Sequence, residues 1–176
     1  MDIFSHGLWA AAGAHGINLK TKTRVSVWKT GLWGIFPDLF SFTAAFVWMW
    51  STGTRFDARN AEPFGGNGQF ITQLTETLYN ISHSLIIFAL VFGLVWLIFK
   101  RPIWEMLGWL VHVVIDVPTH SYQFFPTPVL WPISSWKFNG FSWGQPWFMA
   151  LDIIALALVY GLIWRRYRIN KHHGDH

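Results

Sequence analysis

Apolar stretches separated by short polar ones dominate the chain, and five of them read as candidate membrane helices. The first runs roughly from Ile3 to Leu19 and is rich in Ala and Gly, a composition that suits close helix packing more than lipid exposure. The second runs from about Leu32 to Trp50 and contains Pro37 and Asp38. The third, about Asn80 to Phe99, is the clearest, with no polar side chain between Leu85 and Phe99. The fourth covers about Ile103 to Val117 and the fifth about Trp147 to Trp164. Several fall at or below the roughly 20 residues that a span needs, a shortfall that local bilayer thinning or snorkelling flanks accommodate. The pattern predicts an all-α polytopic membrane protein: a bundle of about five transmembrane helices forming a single transmembrane domain over residues 1–176.

Two longer connections, 51–79 and 118–146, are expected on the outer side, and residues 165–176 form a cytoplasmic tail. The first connection holds Gly65, Gly66, Asn67 and Gly68, a turn-rich stretch. After it Phe70, Ile71, Leu74 and Leu78 recur at helical spacing, predicting an amphipathic helix along the membrane surface. The second carries Phe124-Phe125-Pro126, Trp131-Pro132, Trp136, Trp143 and Trp147, and reads as an ordered, non-helical cap in the interface.

Composition sharpens this picture. Hydrophobic residues make up 52% of the chain and charged residues 12%, against about 25% charged in soluble domains. The 13 Trp and 16 Phe exceed what a core of this size needs, and interfacial belts explain the excess. The net charge of +4 does not point to nucleic acid, because the basic residues cluster at the ends of apolar runs. Lys20, Lys22, Arg24, Lys29, Lys100, Arg101, Arg165, Arg166, Arg168 and Lys171 fall on one side of a five-span layout, with only Arg55, Arg59 and Lys137 on the other. The positive-inside rule then puts the N-terminus outside and the C-terminus in the cytoplasm. Asp2 and His6 stand where a cleavable signal peptide would be basic, so the first segment is expected to be retained. The absence of cysteine excludes disulfides, thiolate zinc sites and cysteine nucleophiles.

Ionisable groups inside spans cost a few kcal/mol each and need a compensating reason. This chain has His6, Asp38, His83, His112 and Asp116, with His120 just beyond. His112 and Asp116 stand four positions apart, which puts both on one helix face. Imidazole with carboxylate suits zinc, manganese or iron; a hydrogen-bonded structural pair is the alternative. Pro118 is expected to end that helix near Val117, letting His120 fold back from the loop. Alone, His83 would be an interfacial histidine, and Asp38 a first-turn acid favoured by the helix dipole. Asp38 lies about 12 residues, roughly 18 Å, from the outer end of its span. A shared site must therefore be sunk into the bundle, or the second span broken near Gly31, Gly34 and Pro37. Glu105 reads as a first-turn acid and Asp152 as a structural hydrogen-bonding group. His15 points away from His6, and His172, His173, Asp175 and His176 read as a solvated tail. No serine-hydrolase elbow, phosphate loop, Rossmann fingerprint or HExxH is present.

Four motifs carry a resemblance: Ser5-His6-Gly7-Leu8-Trp9, Phe36-Pro37-Asp38-Leu39, Ile81-Ser82-His83-Ser84-Leu85, and Leu110 through Ser121 with its His112, Asp116 and His120. In this order they resemble the bacterial membrane-bound metal-dependent hydrolases, and Phe124 to Pro128 with Leu130-Trp131-Pro132 is similar to the loop of one branch. The resemblance spans almost the whole chain. It implies a hydrolase of the bacterial inner membrane with a metal site made of His6, Asp38, His83, His112 and Asp116. Other branches read PD-x-D-H and H-R-G-x-T-H-S; here Phe40 and Ser41 replace the second Asp and the His, and Leu78 the upstream His. One metal rather than two, or a vestigial site, is then expected.

The leading expectation is a metal-assisted hydrolase, using a divalent metal such as zinc, that acts on an ester or phosphoester of a lipid-like substrate in the membrane. Asp116 and His120 are the expected catalytic residues, His120 because an imidazole titrates near the working pH. The alternative is a non-enzymatic membrane subunit packed against a larger membrane complex, its aromatic surface serving as anchors. Ion or proton transport along the His/Asp groups ranks third.

Overall fold

A computed structural model describes residues 2–56 and 68–174, the side chains from 170 onward excepted. Arg59, Gly65, Gly66 and Asn67, and the side chains of Lys171, His172, His173, Asp175 and His176, lie outside the described part.

The Asp2 carboxylate accepts the backbone N–H groups of Phe4 and Ser5 at 3.0 Å each, an N-cap that starts α1 (Ile3–Lys20). Its small residues bring it against α2 (Val27–Thr52). A Cβ placed on Gly34 would lie 2.6 Å from Ala10 Cβ and 2.8 Å from the His6 carbonyl oxygen, and one on Gly7 2.7 Å from the Ile35 side chain. Helix α2 is the centre of the fold, packed against α1, α3 and α5. It runs unbroken through Pro37, so depth, and not a broken helix, brings Asp38 to its partners.

The expected third span, about Asn80 to Phe99, is α4 (Leu85–Phe99), its first residues belonging instead to the end of α3 (Gln69–Ser82), and the two helices are bent by 61°. Ser84 is the cause: its hydroxyl accepts the N–H groups of Ile86 and Ile87 at 3.1 and 3.2 Å and donates to the Trp131 carbonyl at 2.5 Å. A serine that caps a new helix in this way competes with continuation of the old one. The amphipathic helix expected after Gly68 is present as α3, but its packed stripe is Thr75, Tyr79 and Ser82, while Phe70 is exposed.

A short 3-10 turn (Trp104–Met106) leads into α5 (Leu107–Thr119). Gly108 sits so close to α2 that a Cβ there would collide with the Thr30 carbonyl. Helix α5 continues through Pro118 to Thr119, past the expected end at Val117. Proline this near the terminus disrupts only the last turn, which closes through the His120 N–H on the Asp116 carbonyl at 3.0 Å. Phe88, Met106, Trp109, Val113 and Val129 form a buried apolar cluster beside it. The connection 120–145 is non-helical, as expected, and its returning arm pairs with the end of α5: the N–H groups of Gly140, Phe141 and Trp143 donate to the carbonyls of His120, Pro118 and Thr119.

Helix α6 (Pro146–Gly174) docks on α1. Asp152 has the structural role expected of it, accepting from Trp9 Nε1 at 2.8 Å and Ser5 Oγ at 2.6 Å. Glu105 does more than sit in a first turn: its carboxylate accepts the Ser26 N–H at 3.2 Å.

The described residues form six α-helices and no strand. Two of the helices, Val27–Thr52 and Pro146–Ile169, are long and apolar enough to cross a membrane, and three crossings result if α3 and α4 are one bent span. Helix α5, with 13 residues, is about 20 Å long, short of a hydrocarbon core of about 30 Å. Leu90, Leu94 and Leu97 on α4 and Leu151, Leu158 and Leu162 on α6 are more than half exposed, a surface suited to lipid.

Candidate metal centre

Each helix of the core delivers polar side chains to one point. His6 comes from the second turn of α1, Asp38 from the middle of α2, His83 from the break between α3 and α4, and His112 and Asp116 from successive turns of α5. His120, just past α5, folds back onto the same group: its Nε2 lies 3.2 Å from Asp116 Oδ1. All six expected site residues are buried.

Four of them converge. His83 Nε2 and His112 Nε2 are 3.1 Å apart. Asp116 Oδ2 lies 3.4 Å from the first nitrogen and 3.2 Å from the second, and Asp38 Oδ1 lies 3.6 Å from both. One ligand atom from each of the four lies within 4.8 Å of all the others. A tetrahedral metal with bonds of about 2.0–2.1 Å holds its ligand atoms about 3.3–3.4 Å apart. Five edges of the tetrahedron, between 3.1 and 3.6 Å, already match that size. The buried Asp38, His83, His112 and Asp116 group can therefore hold a metal ion.

The imidazoles are oriented for this. His112 Nδ1–H donates to the Gly34 carbonyl at 2.6 Å, and His83 Nδ1–H to the Tyr79 carbonyl at 3.2 Å, with Ser82 Oγ at 2.9 Å. Anchoring each Nδ1 in this way turns the Nε2 lone pair toward the shared point, the usual outer support of a metal-binding histidine. Ser82 is held in turn by Ser41 Oγ at 2.7 Å, and its carbonyl by Trp109 Nε1 at 2.5 Å.

His6 is placed differently from the other four expected ligands. Its ring stacks on His112 with centroids 3.8 Å apart. Its Nε2–H donates at 2.8 Å to Asp116 Oδ1, the oxygen turned away from the imidazole pair, and its Nδ1 lies 3.5 Å from Asp38 Oδ2. His6 thus braces Asp116 through its outer oxygen, while its Nδ1 makes no hydrogen bond to Asp38. With neutral rings the cluster carries two buried carboxylate charges, a costly arrangement unless paired; a divalent cation would supply the balancing charge.

Comparison with known proteins gives no match: no family model, no curated protein and no solved structure matches the chain at a significant level.

Several contributors escaped the sequence reading. Tyr79 stacks on His83 with centroids 3.7 Å apart, donates its hydroxyl to the Phe125 carbonyl at 2.7 Å and lies 3.0 Å from His120 Nδ1. Its position one helical turn before His83 was the available signal. Gly34 contributes through its carbonyl, which no side-chain pattern reveals. Ser41 is buried beside Ser82, while Phe40 packs on Phe36 and is exposed.

Proposed function

We propose that the chain is a membrane-embedded, metal-assisted hydrolase that cleaves an ester or phosphoester of a lipid-like substrate. The observation that carries this reading is the near-tetrahedral convergence of His83, His112, Asp38 and Asp116 on one buried point. These four would hold the ion; their donor set suits zinc first, with manganese or iron as alternatives. A divalent metal held there would supply Lewis acidity to water or a substrate oxygen only where one carboxylate yields its position or the ion expands to five ligands, since four protein ligands close a tetrahedral site.

The remaining chemistry falls to the chain. His120 Nδ1–H is committed to the Phe125 carbonyl at 2.8 Å, so Nε2 is the nitrogen placed to take a proton from water and return it to the departing alcohol. Water oxygen bonds to the carbonyl carbon or phosphorus, the bond to the alcohol oxygen breaks, and the alcohol leaves with that proton. While protonated, Nε2 donates to Asp116 Oδ1 at 3.2 Å. Asp116 thereby serves both as ligand and as the group that steadies His120, and His6 holds the same oxygen in place.

The motif resemblance to bacterial membrane-bound metal-dependent hydrolases supports the reading. We place the protein in the bacterial inner membrane with its N-terminus outside and its C-terminus in the cytoplasm, on the asymmetry of Lys and Arg. The short α1 and α5 then share the bilayer with α2, α4 and α6. A second reading, a non-enzymatic subunit of a larger membrane complex, draws on the short His6–Asp116 and His83–His112 separations, which a metal-free hydrogen-bonded clasp also explains. Hydrolysis of a glycerophospholipid panel by wild type and His120→Ala separates the two. The hydrolase reading expects the variant to keep its metal and lose about 10²–10⁴-fold in rate, the usual worth of a general acid–base. No turnover in wild type carrying metal, with co-purification in a stoichiometric complex, favours the subunit.

A further inference from the structure

Among the described residues a cavity with a largely apolar wall reaches the site. The side chains of His6, His83, His112 and Asp116 are wholly buried, whereas Asp38 keeps 5% and His120 3% of their surface. Both border the same cavity, of about 490 Å³, a size ordinary for a ligand site. Phe4 of α1, Phe42, Phe46 and Met49 of α2, and Phe124 and Trp143 of the long connection form most of its wall. The other acidic residue on it, Asp2, is engaged in capping α1.

Helix α2 supplies one side of this cavity as a rail. Asp38, Phe42, Ala45 and Met49 follow one another at helical spacing and all line it. From Asp38 to Met49 the rail rises about 16 Å at 1.5 Å per residue. A ligand lying along the rail to Asp38 and His120 meets apolar wall for most of that distance. A strongly hydrated solute would shed its water there without compensation. An extended peptide fares no better, since a wall of aromatic and aliphatic side chains leaves its N–H and C=O groups unpaired. A hydrocarbon chain meets neither cost.

We infer that the cavity seats a lipid chain: the ligand of this site is a lipid whose acyl or isoprenoid chain lies along the Asp38–Phe42–Ala45–Met49 rail, with its polar linkage at Asp38 and His120. The inference rests on the hydrolase reading for what happens to that linkage, but chain binding is testable without turnover.

The probe is a phospholipid with a diazirine on its acyl chain, added to the detergent-purified full-length protein, photolysed, and mapped by peptide mass spectrometry. Wild type is expected to carry adducts on residues 38–49, and also on the lipid-facing side of α6. Ala45→Trp and Met49→Trp both fill the cavity; either is expected to cut the rail adducts about tenfold, equivalent to denying the chain roughly two methylenes of burial. Adducts on α6 and metal content stay at the wild-type level. Ala45 is fully buried, so if its variant does not fold, Met49→Trp, at a half-buried position, carries the test alone. Rail adducts absent from wild type, or undiminished in Met49→Trp, overturn the inference. Adducts that obey the cavity variants in a wild type that binds no metal leave the lipid seat standing and remove the hydrolase.

Discussion

Gly34→Ala tests how the site is assembled. The added Cβ would stand 2.6 Å from Ala10 Cβ and 2.8 Å from the His6 carbonyl oxygen, where carbon contacts are ordinarily about 3.5–4.0 Å. Helix α1 must therefore back away by about 1 Å at this crossing. Overpacking of this kind costs about 1–3 kcal/mol, offset in part by the roughly 1 kcal/mol that alanine gains over glycine inside a helix. The same displacement carries off His6, which braces the Asp116 carboxylate, and shifts the Gly34 carbonyl that orients His112. Site geometry tolerates about 0.5 Å, so metal affinity should fall about 10–100-fold, as when an outer-shell partner is removed. Gly13→Ala is the matched control on α1, with nothing within 4 Å of its new Cβ; it should be neutral or slightly stabilising. Both variants would be followed in detergent by thermal unfolding and by metal titration. Equal stability and equal metal affinity for the two would refute the close-packed α1–α2 crossing as the support of the site.

Other consequences can be measured in the same preparation. Asp152→Asn weakens the carboxylate that receives Ser5 and Trp9; α6 should loosen from α1, seen as faster proteolysis of the C-terminal helix, with metal content unchanged. Stripping the metal with a chelator should lower the melting temperature, and restoring zinc at about a hundred times its Kd should return about 2.7 kcal/mol of stability; a melting curve indifferent to both would mean that no ion is linked to folding.

The hydrophobic pattern made the helices legible but not their breaks. The first helix was read to Leu19 and ends at Lys20, because Asp2 and the small residues mark both its start and its packing face. The third span was read as continuous because hydropathy does not register that Ser84 prefers to cap α4 and hold the Trp131 carbonyl. Of the five expected spans two, or three with the bent pair, meet the length and apolarity of a crossing, α5 having only 13 residues and α4 alone 15. The gathering of His6, Asp38, His83, His112, Asp116 and His120 was legible, since each is a costly polar group in an apolar setting. Their division of labour was not. That His6 braces Asp116, and that Asp38 and His120 border a cavity, depends on which carboxylate oxygen and which ring nitrogen point where. The apparent depth of Asp38 is resolved by the outer part of α2 running past the start of α1: Gly34 already lies against Ala10 and His6.

Elemental analysis of the detergent-purified protein, wild type beside His112→Ala, addresses the metal centre most directly. About one tightly held ion of zinc or a similar metal per chain, lost from a variant that remains folded, is the expected result. A folded wild type without metal, or a His112→Ala protein that holds the ion as firmly as wild type, contradicts it.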